Sequence, residues 1–176
     1  MARLDRLTSV REVAQLGATI GREFSYELLH AISPLDEAVL QQGLQQLVEA
    51  ELIYQHRLPP QARYVFKHAI IQDTAYESLL KSTRQQYHQQ IAHVLIERFS
   101  ATTQTQPELV AHHYTETGLA EQAIPYWQKA GQRAAERSAH TEAVSHLTRG
   151  LAVIGARISL APMPNRGFSY LPRHSQ

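Results

Sequence analysis

The chain has 176 residues, a formal net charge of +1 and no cysteine. The small net charge excludes a global field that would attract nucleic acid or a membrane surface. The lack of cysteine excludes disulfide scaffolds, thiolate zinc sites and cysteine nucleophiles. No apolar run approaches the roughly 18 residues that span a bilayer, and the charged N-terminus lacks the apolar segment of a signal peptide. We therefore expect a cytoplasmic, mostly helical protein without membrane contacts.

The first part of the chain shows three helical patterns. Ser9 and Glu12 fit a capping box, which predicts that the first helix starts at Ser9, after a short charged lead at 1–7. A second helix is predicted from an apolar stripe: Phe24, Leu28, Leu29 and Ile32. A third helix is predicted to begin with Ser33 as N-cap and Pro34 as its first helical residue. Its apolar stripe contains Leu40, Leu44, Leu47, Val48 and Leu52.

Two short strand patterns follow these helices. Alternating residues predict strands at 52–55 and 64–66, and the two prolines between them predict a turn. Three helices followed by a two-stranded wing are typical of a winged helix, a variant of the helix-turn-helix. We therefore predict a mainly all-α fold with a winged-helix-like domain at 8–100, which includes two trailing helices.

His68 lies where the pattern changes from strand to helix. The N-terminus of a helix offers free N–H groups and the positive end of the helix dipole, which favour an anion. A histidine at this position can add one more donor to such a site, or it can simply bond locally. Both interpretations of His68 remain open from the residues alone.

The C-terminal part shows the spacing of a helical repeat. A polar stretch at 100–106 predicts a structureless boundary, and a helical array is predicted at 106–155, its last helix at about 141–154. Intervals of four, five, four and three residues match the tetratricopeptide pattern at Tyr114, Gly118, Ala123, Trp127 and Ala130. An overlapping match adds Ala143 and Leu147. Small residues in this pattern let helices approach and large ones fill the gaps, so we predict Trp127 in a core with Ala111 and Tyr114.

The composition of the segment at 156–176 differs from that of the preceding helical part. It has three prolines, three arginines, no acidic residue and no helical stripe. These features predict a disordered tail.

The sequence lacks the common motifs of catalysis and nucleotide binding. It contains no P-loop, no G-x-G-x-x-G, no H-E-x-x-H and no nucleophile elbow. We therefore expect no enzymatic activity, no cofactor and no ATP binding by this chain alone. No metal site is predicted either, because no histidine spacing places two ligands on one helix face. The nearest groupings are His112–His113, His88 with His93, and His140 with His146.

Winged helices often bind DNA, so a DNA-binding transcription regulator is the alternative function. The segment at 36–55 would carry the reading helix, and it has four acidic residues and no lysine or arginine. Phosphate contacts dominate the affinity for DNA and require cations. The cations of the predicted wing, Arg57, Arg63 and Lys67, are scattered. Nucleic acid is therefore not the expected partner.

Three segments together resemble the middle of bacterial multidomain STAND-type ATPases: MARLDRLTSVREVAQLGATIGREFSYELL, YVFKHAIIQDTAYESLL and QPELVAHHYTETGLAEQAIPYWQKAGQRA. Members of this family often carry an adenylate/guanylate cyclase domain, then an AAA-type ATPase module, then tetratricopeptide repeats. The resemblance covers residues 1–155 and implies that 1–7 continue from the ATPase module. It also implies a non-catalytic role in signal transduction, in which the repeats bind protein partners and are coupled to an ATPase module in cis or in trans.

The resemblance implies a specific role for His68. In STAND relatives a histidine near this point touches the β-phosphate of bound ADP, and His68 is the matching residue. The aspartate that often follows that histidine is Ala69 here. Walker motifs and a cyclase domain are missing, and the residues after Gly155 do not resemble further repeats. The chain therefore looks truncated relative to the family, and ATP or ADP is implied only in a full-length context.

Overall fold

The computed structural model describes the backbone of residues 2–160 and the side chains of 8–155. This part of the chain forms nine helices and one small sheet, which confirms the predicted mainly helical fold class. The elements in chain order are α1 (Ala2–Ile20), β1 (Glu23–Ser25), α2 (Tyr26–Ile32), α3 (Glu37–Glu49), β2 (Ile53–His56), β3 (Arg63–Phe66), α4 (Ala69–Glu77), α5 (Lys81–Arg98), α6 (Ser100–Thr105), α7 (Pro107–Glu116), α8 (Ala120–Glu136) and α9 (His140–Leu160).

The sheet has three antiparallel strands in the order β1-β3-β2, one more than the predicted two-stranded wing. The additional strand β1 contains Phe24, which the helical stripe had placed in the second helix. Phe24 pairs with Tyr64 of β3, and their rings stack with centroids 5.6 Å apart. The ring of Phe24 also lies 5.8 Å, centroid to centroid, from the ring of Phe66, which is two residues after Tyr64 on β3. Aromatic pairing across strands therefore outweighs the helical periodicity here, because such pairs stabilise a sheet.

Two predicted helix starts are wrong. The first helix begins at Ala2 rather than at Ser9, so the predicted lead at 2–7 is the beginning of α1. The third helix begins at Glu37 with Asp36 as N-cap, whereas Ser33 is the C-cap of α2. Ser33 has an extended backbone because the residue before a proline is disfavoured in the helical region.

The main apolar core lies among α1, α2, α3, α5 and the sheet. Its largest fully buried side chains come from every one of these elements. They include Leu16, Leu29, Leu44, Phe66 and Ile91. Val110 of α7 belongs to the same core, so the core extends past the predicted boundary at 100–106.

The polar stretch at 100–106 is not structureless. It forms the short helix α6, and Thr103 within it is buried. The hydroxyl of Thr103 donates a 2.8 Å hydrogen bond to the carbonyl of Leu95, and that of Thr105 donates one to Ala101. Threonine hydroxyls can bond to earlier backbone carbonyls, so the buried Thr103 is satisfied within the protein, while most of the other residues of this segment face solvent.

The helices α7, α8 and α9 follow one another and pack as neighbours. α7 ends at Glu116, and Gly118 follows with a φ of +77°. The last helix is longer than predicted and includes residues 156–160, which had been assigned to the tail. The rest of the predicted disordered tail, 161–176, lies outside the described residues.

A substitution at Gly17 tests the contact between α1 and β1. A Cβ atom on Gly17 would lie 2.7 Å from Cζ of Phe24, whose ring is 2% exposed and cannot move aside. Overpacking of a core costs about 1–3 kcal/mol, partly offset by the better helix propensity of alanine. We expect Gly17→Ala to lower the free energy of unfolding by about 1 kcal/mol, measured by urea denaturation.

Gly155→Ala is the matched control, because it is also a helical glycine but has no atom within 4 Å of the added Cβ. It should leave stability unchanged or raise it. Equal effects of the two substitutions would contradict the proposed clash.

Candidate functional site

His68 lies on an exposed edge of the molecule. It is the N-cap residue of α4, directly after the turn that follows β3. Its backbone is extended, and among the described residues its side chain makes no capping hydrogen bond. Ala69 and Ile70 beside it are also exposed, Ile70 by 68%. The open surface around His68 is compatible with either interpretation of this residue.

Trp127 occupies the centre of a small second core between α7, α8 and α9. It is 2% exposed and clusters with Ala111 and Ala123, and Tyr114 packs against the cluster. The indole N–H of Trp127 donates a 3.0 Å hydrogen bond to the hydroxyl of Thr115. The predicted neighbours of Trp127 are therefore the observed ones, and its polar group is satisfied.

The predicted packing residues do not all have the expected roles. Ala130 and Ala143 are buried, at 2% and 6% exposure. Leu147 contacts α8, since a Cβ on Gly131 would lie 2.6 Å from its Cγ, yet its side chain is 44% exposed. Gly118 has no atom within 4 Å of an added Cβ, so it does not allow a close helix approach. Its role is the positive φ that the turn after α7 requires.

A groove of about 870 Å³ opens beside this second core. Its walls come from α7, the turn after α7, the start of α8 and the outer part of α9. Apolar walls carry charged groups at the rim. The lining includes His112, Glu116, Leu119, Trp127, Arg149 and Val153.

A cluster of three histidines joins α5 to α7. His88 and His113 are each 2% exposed, and their Nδ1 atoms are 2.7 Å apart. One of these two nitrogens must donate the proton and the other must accept it. Nε2 of His88 lies 3.0 Å from the hydroxyl of Tyr76 on α4. His112 completes the cluster, with its ring at 5.8 Å from that of His88, edge to face.

The environment of the cluster favours neutral imidazoles. Burial lowers the pKa of His88 to about 4, helped by the nearby charges of His112 and Arg84. Burial also lowers the pKa of His113 well below its usual value, with His88 and His112 adding to the effect. The pKa of His112 is lowered by burial and by Arg149, against the opposing effect of Glu116. The three rings therefore carry lone pairs at neutral pH.

Sequence reasoning missed this cluster because it compared histidines within one helix. His88 and His113 are 25 residues apart and meet only when α5 packs on α7. A signal was nevertheless present in the sequence. His88 precedes Ile91 and Leu95, and His113 follows Val110, at helical spacings that place both histidines on buried stripes.

The exposed side of α3 does not look like a DNA-reading surface. Within α3 the charged residues are Glu37 and Glu49, and α3 has no basic residue. Gln41 is hydrogen bonded to Tyr26 and Glu37, and Gln45 is bonded to Glu49. The glutamines that would contact bases are thus partly occupied, and the helix would repel phosphates.

Comparison with known proteins gives one informative relative. Over 155 residues, 88% of this chain, the sequence is 30% identical to an uncharacterized protein of Rhizobium meliloti (strain 1021). The chain spans 15% of the length of that relative. No family model matches the chain, and no solved structure matches it. None of the helices in the described part of the chain has the length and apolar character needed to cross a membrane.

Proposed function

We propose that this chain is a non-catalytic regulatory and protein-interaction segment of a larger signalling ATPase of the STAND type. In this proposal the helices α7–α9 receive a protein partner, and the surface around His68 faces a nucleotide-binding module in cis or in trans. ATP or ADP would be bound by that module and not by this chain. The proposed location is the cytoplasm, and an adenylate/guanylate cyclase domain is one possible output in a longer protein.

The observation that carries this proposal is an uncovered apolar stripe on α9. Val144, Leu147 and Leu151 are 65%, 44% and 67% exposed and lie at spacings of three and four residues on one helix face. Gly150, which packs against Trp127, lies about 60–120° around the helix from these three residues, and Leu147 itself contacts α8 at Gly131. A helix that packs on its predecessor and leaves further apolar residues exposed beside that contact is typical of a repeat array, in which each unit packs on its neighbours. The stripe thus supports a helical partner packed on α9.

Two further observations support the proposal. The relative in Rhizobium meliloti extends far beyond the part that this chain matches, so it contains segments that can supply such a partner. The exposed Ile70, two residues after His68, offers an apolar contact to a docked module. Of these features, the three residues of the α9 stripe form a group, and grouped exposed apolar residues mark interaction surfaces.

The test uses fragments of the Rhizobium meliloti relative that lie outside its matched part. We expect at least one fragment to bind the chain in a 1:1 complex by isothermal titration calorimetry. Leu151→Asp should weaken this binding by more than about tenfold, because a carboxylate would be buried in an apolar contact. Ser145→Asp, which adds the same charge on α9 away from the stripe, is the matched control. No binding by any fragment, or equal losses in both variants, would contradict the proposal.

A further inference from the structure

We propose that His88, His112 and His113 form a binding site for one divalent transition-metal ion of the zinc class. Each residue offers one ring nitrogen, and these three nitrogens all lie within 4.8 Å of one another. Two of the ligands are adjacent on α7, and the third comes from α5. Three histidines with an open fourth position are a recurring ligand set for zinc. This site is independent of the protein partner proposed for α9.

The surroundings of the three rings resemble the support that metal-binding histidines usually have. Such histidines generally bond through their other nitrogen to a carboxylate, a carbonyl or another polar group, which fixes the orientation of the ring. Nε2 of His88 is 3.0 Å from the Tyr76 hydroxyl. Nδ1 of His112 is 4.0 Å from a carboxylate oxygen of Glu116, one helical turn later. The ring of His88 is therefore held from outside the cluster by Tyr76, whereas Glu116 lies near His112 but beyond hydrogen-bond distance.

Metal binding requires the rings to move: the three nitrogens, which now lie within 4.8 Å of one another, must reach separations of about 3.3 Å. The Nδ1 atoms of His88 and His113 are now 2.7 Å apart and share one proton. Two zinc–nitrogen bonds of about 2.0–2.1 Å at a tetrahedral angle separate the nitrogens by about 3.3 Å. The rings must therefore part by about 0.6 Å, and the proton that bridges them must move to Nε2 of its own ring. Both imidazoles stay neutral in this exchange, and the relocated Nε2–H of His88 can donate a hydrogen bond to the Tyr76 hydroxyl.

The chemistry of the ligands limits which ion fits. Imidazole nitrogen suits zinc, copper, nickel and iron, whereas magnesium and calcium require oxygen ligands. The chain has no cysteine, so no thiolate can shift the preference towards softer ions. Glu116 favours a bound cation, while Arg84 and Arg149 oppose it. The ion reaches the cluster through His112, whose side chain is 50% exposed and lines the groove beside α7.

The alternative is a purely structural role, in which the buried His88–His113 hydrogen bond only joins α5 to α7. The experiment uses the full chain without an affinity tag, stripped with EDTA and dialysed. We expect calorimetry with Zn²⁺ to give one ion per chain. We also expect Co²⁺ to produce the visible absorption of a low-coordinate nitrogen site. The absence of saturable 1:1 binding in the unmodified protein would overturn the metal site.

Two variants test the assignment of the ligands. His112→Ala should reduce the affinity for Zn²⁺ by more than about tenfold, and because the His112 side chain is half exposed, its loss should disturb the fold less than loss of the buried His88 or His113. His93→Ala is the matched control, because His93 is also an exposed histidine paired with a glutamate four residues later, Glu97. Equal affinities in these two variants would overturn the site. Tyr76→Phe keeps all three ligands and should weaken binding by about tenfold, and an unchanged affinity would count against the site.

Discussion

Trp127→Ala is expected to lower the free energy of unfolding by about 3–5 kcal/mol, the usual cost of truncating a buried tryptophan. The indole is 2% exposed and fills the space between Ala111 and Ala123. The substitution also leaves the hydroxyl of Thr115 without its 3.0 Å donor. Chemical denaturation monitored by circular dichroism measures the loss, because the substitution removes the single tryptophan of the chain.

Two controls accompany this substitution, one for the lost volume and one for the exposure of the residue. Trp127→Phe retains most of the apolar volume and should cost clearly less than the alanine substitution. Leu58→Ala removes a large side chain that is 78% exposed and should change stability by less than about 0.5 kcal/mol. A Trp127→Ala protein as stable as Leu58→Ala would mean that α7, α8 and α9 do not pack around this residue.

Acidification is expected to destabilise the protein through the histidine cluster. The pKa of His88 is lower in the folded protein than in the unfolded chain, so the unfolded chain takes up a proton first as the pH falls. The contribution of His88 to the free energy of unfolding is fully present above pH 6.5. It declines as the pH drops towards about 4, below which His88 is protonated in the folded protein as well. At about 1.36 kcal/mol for each pKa unit, the lowering of the His88 pKa from 6.5 to about 4 corresponds to a full loss of about 3 kcal/mol.

Urea denaturation between pH 7 and pH 4.5 in the presence of EDTA measures this dependence. In His88→Gln the slope of stability against pH should be smaller, even if the variant is less stable at pH 7. His140→Gln removes an exposed histidine and should keep the slope of the unmodified protein. An equal slope in His88→Gln and in the unmodified protein would mean that the cluster does not control acid stability.

Local patterns were enough to predict most of the helices and two of the three strands. The apolar stripe of α3 follows the helical period, and the residues at 64–66 follow the two-residue period of a strand. The structure has both elements close to their predicted positions. Predictions that depended on a single residue were weaker. Ser33 fits an N-cap by type, yet Pro34 fixes its backbone in the extended region and makes it a C-cap.

The histidine cluster could not be predicted from patterns along the chain. His88 and His113 each lie on a buried helical stripe, but their contact depends on how α5 and α7 pack. The same limit applies to the segment at 100–106, where composition predicted a linker. In this segment the hydroxyl of the buried Thr103 donates a hydrogen bond to the carbonyl of Leu95. The number of polar residues in the segment does not reveal that bond.

The junction between α5 and α7 also has a mechanical consequence. Val110 anchors α7 in the main core, and His113 ties the same helix to His88 one turn later. With both attachments made, α7 cannot pivot about α6 as a free arm. A force applied to α8 and α9 by a docked partner would instead be transmitted along α7 as torque on the His88–His113 bond, which links that motion to Tyr76 on α4.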